Sequence, residues 1–205
     1  MNPGAYVVMR ELSRDQACAT SPNAEASFSL VLRSLQDPER LVLVDSFASE
    51  EAARATGAAV HRVLLAVEGP WGQPPSHAVC AVWEVKDLEH AAAFVESRRQ
   101  LFTLRQRVLP TFAADWLLQP CVQEGRYAVL GFYGDEEGAT RLCREHPEIR
   151  QFTSAHPASH YTAQDRTGLL CWRIERFSPV GRTQADSGVS APPSLPGAPG
   201  APGAM

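Results

Sequence analysis

Three of the six histidines crowd into one stretch, REHPEIRQFTSAHPASHY, as His146, His156 and His160. Imidazoles this close could hold a metal ion, move a proton, or do neither. His156 and His160 stand four apart, which on a helix would set two metal ligands on one face. Pro157 would then have to sit in the first helical turn, and no neighbouring Asp, Glu or Cys is placed to supply a third ligand, so no metal site is expected. Histidine precedes proline twice, at His146-Pro147 and His156-Pro157. The residue before a proline is driven out of helical backbone, so the stretch reads mainly as a loop, with the end or a kink of a helix at His146. A loop histidine beside a pocket can still act as a hydrogen-bond donor or general base, because its pKa lies near working pH.

Aromatic residues are the other candidates. Trp83, Trp116, Tyr133 and Trp172 all lie in runs that read as strands. Strand aromatics usually fill a core. One face of a sheet can also line a pocket, and aromatic walls suit a flat, apolar ligand. Tyr133 adds a hydroxyl that needs a partner once buried. No GxGxxG, P-loop, HExxH or GxSxG occurs, which argues against dinucleotide, nucleoside triphosphate, zinc-peptidase and serine-hydrolase chemistry.

The chain that must position these residues has 205 residues, 44% hydrophobic and 20% charged, with a net charge of −4. That fits a globular protein of one large domain or two small ones. No basic stripe interleaved with aromatics is present, so nucleic acid is not an expected partner. MNPGAYVVMREL lacks the marks of a signal peptide, and LVLV and AAAFV are too short to cross a membrane. Five scattered cysteines without a CxxC favour buried thiols in a reducing cytoplasm. From Ser178 the chain turns to Pro, Gly and Ala, and 178–205 reads as a disordered tail. EGPWGQPPSH marks a linker, 70–76, between two halves, 1–69 and 77–177.

The halves resemble each other. QDPERLVLVDSFASEEAARA and VQEGRYAVLGFYGDEEGATR align at an offset of 86 residues, with Arg40 on Arg126, Phe47 on Tyr133 and Ser49 on Asp135. Each copy gives a strand, a turn, a second strand, and a capping residue before two glutamates that favour a helix start. In the second half, HAVCAVWEVKD alternates as a strand, and Leu88, Val95, Phe102 and Leu109 recur every seven residues along a helix ended by Pro110. GLLCWRIERF is the last strand, which completes a βαββαβ unit. The first half begins with the strand AYVVMREL; its first helix is short or irregular around Pro22, and HRVLLAVEG reads as its last strand.

This pattern resembles the dimeric α+β barrel superfamily, and within it the antibiotic biosynthesis monooxygenase family. The stretch YAVLGFYGDEEGATRLCREHPEIRQF carries the resemblance: a strand ending in an aromatic, an acidic helix start, and a histidine near the helix end. Tyr133 stands where the family commonly has tryptophan, and either His146 or His156 could take the histidine position. The resemblance implies an α+β fold in which two ferredoxin-like halves close one barrel within the chain. It also implies a pocket in each half, between the helices and the concave sheet. The activity it implies is cofactor-independent oxygenation of a small aromatic or quinol-type compound, with no metal. His156, four residues after Phe152, matches the spacing of haem-degrading members and becomes the candidate base. Tyr133 would orient the substrate, with Trp83, Trp116, His146 and Trp172 around it. Haem-degrading members also carry a helix tryptophan, here Leu142, and a first-strand asparagine that this chain lacks. Haem binding is therefore a third reading, behind a non-catalytic barrel that binds a small ligand or a protein partner. Pairing into a homodimer is compatible with either.

Overall fold

The computed structural model describes residues 3–13, 23, 25–85 and 88–155, and the backbone of 169–183. Eight strands form a closed, wholly antiparallel barrel: β1 (Tyr6–Leu12), β2 (Phe28–Ser34), β3 (Leu41–Phe47), β4 (Val60–Glu68), β5 (His77–Val85), β6 (Phe112–Pro120), β7 (Arg126–Tyr133) and β8 (Leu169–Thr183). Their order around the barrel is β1-β3-β2-β8-β5-β7-β6-β4, and β4 pairs back onto β1. Two four-stranded runs of matching order, β4-β1-β3-β2 and β8-β5-β7-β6, thus meet edge to edge at β2/β8 and β4/β6.

Alternation decides which side chains point inward. Val7, Leu30, Val44, Val63, Trp116 and Leu130 meet in the barrel interior. Their strand neighbours face outward, towards the helices. β7 reads RYAVLGFY and is buried from Tyr127 to Tyr133, because barrel and helices cover both its faces.

The helical layer is uneven. Over the first half, α1 (Glu50–Ala55) presses Ala53 onto Val8, Phe47 and Val60. Ser49 caps it, its Oγ accepting from the Ala52 N–H at 3.2 Å. Over the second half lies the longer α2 (Ala91–Val108), entered through a 3₁₀ turn at Leu88–His90. Its buried stripe puts Phe94 and Phe102 against Trp83, Leu117 and Tyr127. A π-helical turn, Gly138–Leu142, runs into α3 (Cys143–Glu145) and then α4 (Pro147–Ala155). Asp135 caps this segment, its Oδ1 accepting from the Gly138 N–H at 2.6 Å. The chain breaks at His146, whose ψ of 132° is the extended backbone that a following proline imposes.

Composition alone assigns Ser178–Thr183 to the tail, but β8 continues through these residues and pairs with β2. Pro179 has no N–H to give a ladder, and it falls where the register shifts between Val31 and Leu32. No helix among the described residues is long and apolar enough to cross a membrane.

Candidate functional site

One end of the barrel opens into a cavity of about 870 Å³. Phe28 and Leu30 of β2, Trp116 of β6 and Phe132 of β7 form its inner walls, and Trp71 reaches it from the connection between β4 and β5. Trp116 stands edge-on to Phe28, with ring centroids 5.8 Å apart, and tilts against Phe132 at 4.6 Å. Ser27, Ser46, Glu68 and Gln73 supply polar groups, and Ser27 Oγ donates to the Ser46 carbonyl at 3.1 Å. A volume of this size suits a small organic ligand, for which sites run to roughly 300–1,000 Å³.

A second cluster lies on the other side of the same strands, under α2. Asp115 is fully buried on β6, next to the inward-facing Trp116, and so points to the helices. Arg105 of α2 donates through Nη1 to Asp115 Oδ2 at 3.0 Å, and through Nη2 to the Cys143 carbonyl at 3.2 Å. Asp115 Oδ1 has no hydrogen-bond partner among the described residues. Burial pushes the Asp115 carboxyl up to about 6, against the downward pull of Arg105 and then Arg98. Gly131, opposite Asp115 in the register, leaves room for this group. A Cβ there would come within 2.6 Å of Asp115 Oδ1 and 3.1 Å of the Tyr133 hydroxyl oxygen. Asp115 and Tyr133 therefore flank the same backbone position.

The residues singled out in the sequence are divided between these places. Trp116 lines the cavity. Tyr133 follows the cavity-lining Phe132 and so faces the other way; it is buried against Phe112, with ring centroids 6.0 Å apart. Trp83 is fully buried between β5 and α2, with the Arg98 guanidinium 5.3 Å from its ring centroid. His146 is half-buried at the end of α3, and its Nδ1 has no hydrogen-bond partner among the described residues. His156 and His160 lie outside the described residues; Trp172 is on β8, described in backbone alone. In the second half, Trp83, Phe94 and Phe102 fill the layer between α2 and the sheet where the resemblance implies a pocket. The cavity lies instead inside the barrel mouth, walled by β2, β6, β7 and the connection between β4 and β5.

Sequence reasoning missed Asp115, Arg98 and Arg105. A carboxylate within the apolar run FAADWLLQP was the available signal for the first. Arg98 and Arg105 share the buried stripe of Phe94 and Leu101, which their spacing along α2 could have disclosed.

No protein-family model matches the sequence, and none of the curated proteins does. Solved structures do match. A ferredoxin-fold protein related to antibiotic biosynthesis monooxygenases, from Listeria monocytogenes, superposes with a TM-score of 0.57 at 12% identity, covering 87% of this chain and 95% of that one. The fold is that of the antibiotic biosynthesis monooxygenase-like proteins. An anthrone oxidase-like protein aligns at a TM-score of 0.60 and 9% identity over 93% of this chain and 97% of its own. LmHde, a heme-degrading enzyme from Listeria monocytogenes, gives 0.56 and 12% over 84% and 98%. At such identities the likeness is one of monooxygenase-like fold.

Proposed function

We propose that the protein binds a small, flat aromatic molecule in the mouth of its barrel. The aromatic-walled cavity of about 870 Å³ carries this reading. A ligand ring between Phe28, Trp116 and Phe132 gains from apolar burial and edge-to-face contact. Ser27, Ser46 and Gln73 offer partners for a hydroxyl or carbonyl on the ligand. The two halves that wall the cavity are read as copies of one duplicated unit. In support, the register pairs Ser29–Asp45 and Asp115–Gly131 stand 86 residues apart. The test is a fluorescence titration with 1-anilinonaphthalene-8-sulfonate, displaced by 2-naphthol. One saturable equivalent is expected, weakened about tenfold or more in Trp116→Ala. Binding that does not saturate, or that ignores the substitution, contradicts the proposal.

Oxygenation of a quinol-type compound without a cofactor is the second reading; it sets the substrate beneath the helices, beside Tyr133 and the buried Asp115 carboxyl, and not in the barrel mouth. A buried carboxyl pushed up to about 6 is suited to proton transfer. In this reading His156 deprotonates the substrate, Tyr133 orients it, and His146 and Trp172 border it. With anthrone, a ring CH2 becomes a carbonyl; one atom of O2 enters the product and the other leaves as water, with all electrons supplied by the substrate. Oxygen uptake in step with anthrone loss is expected, and it should fall in both His156→Ala and Tyr133→Phe. Full activity in both variants would sink these assignments.

A further inference from the structure

We infer that Trp71 is the specificity-determining wall of the barrel-mouth cavity. This rests on the reading of that cavity as a ligand site. The inner walls, Trp116 and Phe132, are held by strands paired on both sides. Trp71 is held differently, by a connection anchored at its two ends. At one end Gly69 N–H donates to the Ala113 carbonyl at 2.8 Å, and Trp71 N–H to the Phe112 carbonyl at 3.1 Å. At the other, Ser76 N–H donates to the Tyr133 carbonyl at 2.9 Å, and Ser76 Oγ to the Gly134 carbonyl at 2.7 Å.

Between these anchors lie Gly72, Gln73, Pro74 and Pro75, all of which line the cavity. The two prolines have no N–H with which to tie this part down. Trp71 Nε1 donates back to the Pro74 carbonyl at 3.5 Å, so the ring braces its own loop. The ring is seated on Gly134. A Cβ at that position would lie 2.2 Å from Trp71 Cε2 and 2.5 Å from Cζ2, closer than any real contact, so a side chain there would push the ring off.

The consequence is a division of labour. The strand-borne aromatics fix the depth of the cavity, and the seated indole fixes its width. On this inference a two-ring ligand stacks against Trp71 where the indole rests, and a wider four-ring ligand gains when the indole is moved or removed. Gly134 sets the position of the ring without itself lining the cavity, so it reaches selectivity by a separate route.

The experiment compares 2-naphthol with 1-hydroxypyrene, each titrated by its own fluorescence into the full chain, as wild type, Trp71→Ala and Gly134→Ala. Losing the stacked indole should weaken 2-naphthol about fivefold, while 1-hydroxypyrene binds equally well or more tightly. Gly134→Ala should shift the ratio of the two affinities in the same direction. A ratio that stays within about twofold of wild type in both variants, with binding intact, overturns the inference and leaves the cavity reading standing. A wild type that binds neither probe overturns the cavity reading and this inference with it.

Discussion

Asp115 places a proton and an ion pair in competition. Its carboxyl has lost its water and has one guanidinium in exchange, with Oδ1 left without a donor among the described residues. Desolvation wins, and the folded group holds its proton up to about pH 6, against 3.8 for the ordinary value. Unfolding therefore releases a proton between these values. Stability from this residue is fullest below the unfolded value, falls as pH rises towards about 6, and is level above it. Wild type should lose roughly 2 kcal/mol relative to Asp115→Asn between pH 4 and 7, read from urea unfolding at each pH. Parallel pH dependence of the two proteins would show that the carboxyl does not titrate this way. Gly131→Ala tests the same spot by crowding it. The added methyl meets Asp115 Oδ1 at 2.6 Å and should cost roughly 1–3 kcal/mol in stability. An unchanged melting temperature would mean that the carboxyl moves aside freely.

Elements were readable where their signal is local. FSLVLRS marks β2 by apolar character and turn residues alone. The seven-residue recurrence located the helix but not its buried stripe: Leu88 is exposed in the 3₁₀ turn, and Phe94, Leu101 and Phe102 face the sheet. The end of β8 was not readable, because Ser178–Thr183 is strand only by virtue of the free edge of β2 beside it. The side of the sheet bearing the cavity was hidden for a related reason. In β7 both faces are buried, so FY gives no hint that Phe132 faces the cavity and Tyr133 the helices. Two truncations test the β8 edge. A chain ending after Thr183 keeps the β2 pairing and should melt within roughly 3 °C of the full chain, whereas one ending after Phe177 should melt roughly 10 °C lower or more. Equal melting of both shortened chains would mean that the added pairing contributes nothing.

At the scale of the molecule, the barrel closes within a single chain, and every strand of the sheet has a neighbour on each side. Closure removes the exposed edges that invite aggregation and leaves the interior to open at an end. The resemblance made the ferredoxin-like architecture legible, yet it pointed to pockets beneath the helices. The large aromatics of the second half occupy that layer, and the room for a ligand lies at the mouth where β2, β6, β7 and the Trp71 connection converge. Hydrogen–deuterium exchange with and without saturating 2-naphthol distinguishes the two locations directly. Slowed exchange is expected across 26–30, 69–76 and 112–116. Protection confined to α2 and residues 143–155 would put the ligand beneath the helices and contradict the cavity reading.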